Sequence, residues 1–200
     1  MVIENNKNEA TKSINEELDK VENYIEQALF YARSNTVEKD YYIKKSSLKE
    51  IVNESIKKNK NVLIQEKILL NIHDLDLEVN TDGKWIGFIL NQIIGNSLKY
   101  KKQDETLELE IYAKQGKQNV VLCIKDNGIG IKKGEIARAF EKGFTGTNGR
   151  ITGKKSTGIG LYLCKKLCDK LGIGLELDSI ENEGTEVRIV FPMGSYLTKM

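Results

Sequence analysis

The sequence predicts an α/β fold of the α+β kind: a two-layer sandwich of a mixed sheet and helices, preceded by one long bundle helix. Three observations carry this expectation. Stretches of alternating apolar residues follow one another across short polar turns, which favours hairpins over a doubly wound parallel sheet. Segments with apolar residues at helical spacing lie between them, at 83–100 and in the run ending at Leu171. Near the start, Ile14, Leu18, Val21, Ile25, Ala28 and Ala32 alternate steps of four and three, a heptad seam.

The seam has Glu16, Glu17, Asp19, Lys20, Glu22 and Glu26 on its outer side. So narrow an apolar stripe suits a helix packed in a bundle or dimer; the alternative is a helix docked on its own domain. Residues 34–40 are polar and read as a linker, so a helical unit at 1–36 is expected before a globular one at 37–200. A strand at 41–45 should precede a helix at 48–58 with Leu48, Ile51, Val52 and Ile56 inward. Short strands follow at 68–72 and 77–79. After the helix at 83–100, strands at 107–113 and 119–125 flank a turn around Gly116. A glycine-rich region covers 126–160, a helix runs on to Leu171, and strands at 173–178 and 185–191 complete the order. The last of these alternates cleanly at Val187, Ile189 and Phe191.

Composition narrows the function classes. With 31 basic and 29 acidic residues well mixed, the net charge of +2 points to neither nucleic acid nor a membrane surface as partner. The run Lys57-Lys58-Asn59-Lys60 reads as a solvated helix end. No apolar stretch approaches the roughly 20 residues that span a bilayer, and no signal peptide opens the chain, so a cytoplasmic fragment is expected. Three cysteines without framework spacing fit a reducing compartment. Cys164 and Cys168 have the spacing of helical metal ligands, but they continue the stripe Leu161, Cys164, Cys168, Leu171 and read as core.

Two glycine pairs stand out, in Asp126-Asn127-Gly128-Ile129-Gly130 and in Thr157-Gly158-Ile159-Gly160-Leu161. Glycine permits close backbone approach, and the second pair precedes a helix whose free N–H groups favour phosphate. A dinucleotide fingerprint fails, because the third glycine position holds Lys133 after one pair and Leu163 after the other. A P-loop ending at Gly153-Lys154 fails at Asn148 and Lys155. On the helix before them, Gln92, Asn96 and Lys99 share one face, with Ile86, Leu90, Ile93 and Ser97 opposite. Such a stripe suits Mg²⁺ and phosphate, or is a plain solvated face.

Taken in order, these motifs resemble the Bergerat-fold ATPases, the group of gyrase, the Hsp90 chaperones, MutL and the histidine kinases. Asn96-Ser97-Leu98-Lys99-Tyr100 resembles the kinase N box, and Asp126 to Ile131 the first glycine box. Phe140-Glu141-Lys142-Gly143-Phe144 is similar to the F box, Ser156 to Leu161 to the second glycine box, and Gly184-Thr185 to the final short motif. The match covers about residues 41–192. The heptad helix resembles the second helix of a dimerisation domain. The run Phe144-Thr145-Gly146-Thr147-Asn148-Gly149-Arg150 is similar to kinases that sense antimicrobial peptides with a partner ABC transporter.

The resemblance implies an ATP site. Asp126 would accept from the adenine amine, with Thr185 behind it and Gly128, Gly130 and Ile131 beside the base. Asn96 would ligate Mg²⁺ and Lys99 would meet a phosphate. Tyr100 would lie near the ribose, and Thr157, Gly158, Gly160 and Leu161 would present N–H groups to the phosphates. Phe144 belongs to a lid at 141–156, in which Arg150, Lys154 or Lys155 would reach the γ-phosphate. Gln92 departs from the family, in which kinases carry Asn and hydrolases Glu; an amide is no general base, which disfavours hydrolysis. The function implied is phosphoryl transfer from Mg·ATP to a histidine of the kinase's own homodimeric dimerisation domain, and then to a response regulator. Membrane-spanning helices would lie upstream in the full-length protein. His73, followed by Asp74, lacks the helix and the proline five residues on that a phosphoacceptor carries, so it reads as a surface or structural histidine.

Overall fold

A computed structural model describes Leu18, Val21, Ile25 and Ala28 together with residues 41–147 and 157–194. The chain divides into two compact units, Met1–Asp40 and Tyr41–Met200. In the first, Leu18, Val21, Ile25 and Ala28 are helical and exposed, the first three by half or more. The seam positions Ile14 and Ala32 lie outside the described residues.

The second unit opens with β1 (Lys44–Ser47), which pairs antiparallel with β3 (Glu78–Thr81) as a separate two-stranded sheet. This strand starts later than the expected 41–45. The Tyr42 N–H donates to Asp82 Oδ2 instead of joining a ladder, and register with β3 fixes the start. Ser47 ends β1 and caps the next helix, its hydroxyl accepting from Glu50 N.

That helix, α1 (Leu48–Gln65), runs a turn and a half or more past the expected end. Asn59 interrupts its apolar stripe, but the amide donates to Ser55 O and to Asn91 Oδ1 across the helix interface, so the stripe resumes at Leu63. Next come β2 (Leu69–His73), β3 and α2 (Gly83–Lys99); Asp82 caps α2 by accepting from Lys84 N. Then follow β4 (Glu108–Gln115), β5 (Asn119–Asp126), the single turn α3 (Lys133–Ile136), α4 (Gly160–Leu171), β6 (Gly174–Ile180) and β7 (Gly184–Pro192).

The main sheet has order β2-β4-β5-β7-β6, with β2 parallel to β4 and the other pairs antiparallel. Period-two alternation sends Leu109, Ile111, Val120, Leu122, Ile124, Val187, Ile189 and Phe191 inward, all nearly or fully buried. From the helical layer, Ile86, Ile89, Leu90, Ile93 and Ile94 of α2 and Leu163, Cys164, Leu167 and Cys168 of α4 join them in the core. Each side chain of Leu or Ile size contributes about 1.5–3 kcal/mol when fully buried. Both helix cysteines are therefore core residues, and burial pushes their thiols up, Cys168 to about 12. Gly172, at φ +69°, closes α4 in the left-handed conformation, and Ile173 N donates back to Cys168 O.

On the sheet's outer face His73 ends β2, stacked on Tyr112 at 5.1 Å between Asp74 (2.8 Å) and Glu110 (3.2 Å). The Asp74 hydrogen bond, then that of Glu110, raises its pKa above the ordinary value.

At the opposite end of the sheet backbone touches backbone. Gly184 has φ +134°, and a β-carbon there would overlap the Asp126 carbonyl oxygen on the paired strand. Gly184→Ala should therefore destabilise the domain by well over about 1 kcal/mol. Gly95→Ala, on an exposed helical site with open space around it, should stabilise by about 0.5–1 kcal/mol. Urea unfolding of the two variants checks both signs.

Candidate functional site

The inward rows of three neighbouring strands change character at the same end of the sheet. On β5 the buried series Val120, Leu122, Ile124 continues to Asp126; on β7 the series Phe191, Ile189, Val187 continues to Thr185; on β6 Leu175 and Leu177 continue to Ser179. Asp126 pairs with Thr185 and Thr185 with Ser179, so the three polar residues form one row across the sheet.

Ser97, on the inward side of α2, completes the group. Its hydroxyl donates to Asp126 Oδ2 at 2.7 Å, with Ile93 O at 3.3 Å as a second acceptor. Asp126 Oδ1 accepts the N–H groups of Gly128 (3.0 Å) and Thr185 (3.2 Å). Burial raises the Asp126 pKa above the ordinary carboxylate value, partly offset by the hydrogen bonds from Ser97, Gly128 and Thr185. A desolvated carboxylate with unused acceptor capacity is suited to a ligand N–H donor. Sequence reading placed Ser97 on the apolar side of α2, which is correct, and so missed its hydroxyl's partner. Ser179 was missed as well: its Oγ accepts from Ile131 N (2.9 Å), donates to Gly184 O (2.7 Å) and lies 3.0 Å from Thr185 Oγ1. A polar residue at a core-facing register position is the signal that would have found both.

The first glycine pair serves chain-to-chain contact. A β-carbon on Gly128 would come within 2.7 Å of Tyr100 O, and one on Gly130, at φ +63°, would overlap Ile180 O. Ile129 N donates to Tyr100 O, and Asn182 N to Ile129 O, so the loop after β5 is clamped between the end of α2 and the β6–β7 turn. Asn127 holds the neighbouring loop, accepting from Glu108 N and donating to Thr106 O. Tyr100 caps α2, with Lys99 Nζ 5.5 Å from its ring centre.

Asn96 and Lys99 are half-buried in the last turn of α2. Gln92 departs from the expected open stripe: it is 8% exposed, because α4 docks over it. Its Oε1 lies 2.9 Å from where a β-carbon on Gly160 would stand. At the start of α4, Gly158 has φ +63°, and among the described residues no side chain caps the helix at Ile159, whose N–H donates to Thr157 Oγ1 at 3.4 Å. Gly160 and Leu161 form the first turn. Phe144 reaches this region through its backbone: Gly143 N donates to Gly158 O at 3.0 Å, and a β-carbon on Gly158 would crowd the Phe144 backbone. Of the expected lid, Arg150, Lys154 and Lys155 lie outside the described residues.

Residues 81–195 match the family model described as histidine kinase-, DNA gyrase B-, and HSP90-like ATPase. The chain belongs to that family. Sensor histidine kinase YxdK of Bacillus subtilis is 34% identical over 203 residues, covering all of this chain and 60% of the relative. Sensor protein kinase GraS of Staphylococcus aureus strain JH1 is 35% identical over 195 residues, 96% of this chain and 55% of the relative. The chain therefore spans little more than half the length of these curated relatives. The catalytic domain of histidine kinase ThkA superposes with a TM-score of 0.64 at 21% identity, covering 76% of this chain and 98% of that one. Acinetobacter baumannii histidine kinase AdeS gives 0.71 at 19%, with 92% and 83% covered. Both show the shared fold. The site just described thus belongs to an ATP-binding ATPase domain of the histidine kinase type.

In this ATPase domain the raised pKa of Asp126 has a definite sign for stability. The folded state holds the proton above pH 3.8, where the unfolded carboxylate releases it, so stability falls as pH rises through that window and levels off above the folded pKa. Asp126→Asn keeps acceptors for Gly128 and Thr185, and its amide can donate to a rotated Ser97 hydroxyl. Urea midpoints measured from pH 3.5 upwards should show the variant gaining on the parent as pH rises. An unchanged difference would contradict the desolvation.

Proposed function

We propose that this domain binds Mg·ATP and transfers the γ-phosphoryl group to a histidine of a dimerisation domain, for onward transfer to a response regulator. The observation that carries the reading is the Asp126 carboxylate, desolvated and held by three donors at the edge of a polar row. It suits the exocyclic amine of adenine and would face an unpaired carbonyl in guanine. Thr185 and Ser179 stand behind it, and Ser97 fixes its second oxygen.

The phosphate end is read from α2 and α4. The uncapped start of α4, with Gly158 and Gly160, would offer N–H groups to phosphate oxygens, and Lys99 a charge. Asn96 fits magnesium as a hard amide oxygen donor. Among the described residues no group of three His, Cys, Asp or Glu side chains could hold a metal, so the nucleotide's own oxygens and water would complete the shell, as is usual for this ion. When bound, the ion would neutralise charge on the transferring group.

In the transfer, the bond from the γ-phosphorus to its bridging oxygen breaks and a bond to an imidazole nitrogen forms. ADP leaves and the imidazole proton passes to solvent. The domain's part is positioning and charge stabilisation. Gln92 supports transfer over hydrolysis: an amide cannot deprotonate water, and this one is buried against the head of α4. Residues 1–36 are read as the remnant of a helical dimerisation domain in a homodimer, since Leu18, Val21 and Ile25 expose apolar surface along one helix face. The proposal extends to a membrane-anchored full-length protein and, from the similarity of the run Phe144 to Arg150 to kinases that work with such a transporter, to an ABC-transporter partner. His73, on a strand and engaged by two carboxylates and an aromatic ring, is not the acceptor.

Calorimetry should show ATP bound more tightly than GTP, by about tenfold or more, since setting the remaining acceptor capacity of Asp126 against the guanine carbonyl leaves both without a donor, at a cost of roughly 1–3 kcal/mol. Asp126→Asn should erase that preference; equal affinities in the parent would sink the adenine assignment. With γ-labelled ATP, acid-labile label should appear only on a supplied dimerisation domain. Steady phosphate release without it would favour a hydrolase, tight binding without transfer a nucleotide switch, and label on His73 would overturn the acceptor argument.

A further inference from the structure

Outside the adenine end of the site, one carboxylate is engaged far beyond what a surface residue needs. Glu135, on the single turn α3, accepts from Thr147 three times: from the backbone N–H at 3.0 Å to Oε1 and 3.2 Å to Oε2, and from the hydroxyl at 2.6 Å to Oε1. Gly146 makes room for it. That residue has φ +61°, and a β-carbon there would stand 3.0 Å from Glu135 Oε2, so glycine is favoured on both counts. The Thr147 hydrogen bonds hold the Glu135 carboxyl below its ordinary pKa, as expected for a carboxylate that only accepts.

The segment tied down in this way is the one that meets the second glycine pair. Arg138, three residues after Glu135 in the turn that follows α3, places its guanidinium 4.4 Å from the centre of the Phe144 ring and pairs with Glu141 at 2.9 Å. Phe144 N donates to Glu141 O, and Gly143 N to Gly158 O. The 143–147 backbone is therefore held at one end by Glu135 and abuts Gly158 at the other, with no space for a β-carbon between them.

We infer that Glu135 is a positioning residue for the phosphate end of the site. Its carboxylate seats the turn at 144–147, and that turn sets the 157–160 backbone which leads into α4. The inference rests on the nucleotide-binding reading above. It differs from it in assigning a role to a residue that touches no ligand and lies on an element separate from α2, β5, β7 and α4.

The consequence is a split between parts of the ligand. Adenosine uses the Asp126 end and should not depend on Glu135; ATP uses both ends and should. Calorimetry on the whole chain, with Mg²⁺, would compare adenosine and ATP for the parent, Glu135→Ala, Glu135→Gln, Thr147→Val and the double variant Glu135→Ala/Thr147→Val. We expect Glu135→Ala to weaken ATP by about tenfold, the scale of a charge-assisted hydrogen bond, with adenosine unchanged. Glu135→Gln, which keeps one acceptor oxygen, should recover part of the loss. The double variant should lose less than the two single losses combined, since the Thr147 hydroxyl bond is lost in both. Amide exchange at Thr147 should quicken most in Glu135→Ala and less in Glu135→Gln. Equal loss of adenosine and ATP, or no loss of either, overturns the inference, as does additivity in the double variant. Failure of the parent chain itself to bind adenosine or ATP would overturn the nucleotide reading and this inference with it, so the two failures are told apart by which protein shows them.

Discussion

The Asp126 carboxylate ties together stretches of chain that are far apart in sequence: the end of α2 through Ser97, the start of β7 through Thr185, and its own following loop through Gly128. Drawing a carboxylate partly out of water is costly, and it is tolerated because three donors share the charge while capacity remains for one more. The arrangement around it follows from that. The loop after β5 must turn back on Tyr100, the β6–β7 turn must press against Asp126, and glycine must stand at 128, 130 and 184 where backbones meet.

These contacts are between backbones, and the proposed adenine end is linked to the main core through Ile124 and Val187, two residues from Asp126 and Thr185 on the inward faces of their strands, and through Ile93, one helical turn before Ser97. The proposed phosphate end is built differently. It depends on a helix start without a side-chain cap and on a turn held by side chains of α3. Under the proposed function, a site with one fixed end and one more lightly held end would grip the base while the triphosphate is exchanged or handed on.

Gln92 illustrates how tertiary packing recasts a sequence pattern. At helical spacing it falls beside Asn96 and Lys99, but α4 covers the earlier turn of α2 and leaves only the last turn open. Helix α1 teaches the same lesson from the other side: Asn59 looks like a break in its stripe, yet a neighbouring asparagine on α2 satisfies it and the helix continues. In both cases the deciding partner comes from an element more than 30 residues away.

The sequence by itself determined most of the strand and helix order, the core faces, the glycine motifs and the family, because periodicity and turn chemistry are local and the motifs are read in register with them. It also singled out Asp126 and Thr185 as residues of one site. Only the tertiary structure decided that Ser97 and Ser179 complete the polar row, that Gly130 and Gly184 are required by neighbouring carbonyls, and that Glu135 holds the turn at 144–147. Those are contacts between strands, turns and helix ends whose spacing in sequence is arbitrary. A hydroxyl at a core-facing position announces that a partner is needed, but which atom meets it depends on how the sheet is ordered and how α2 lies across it.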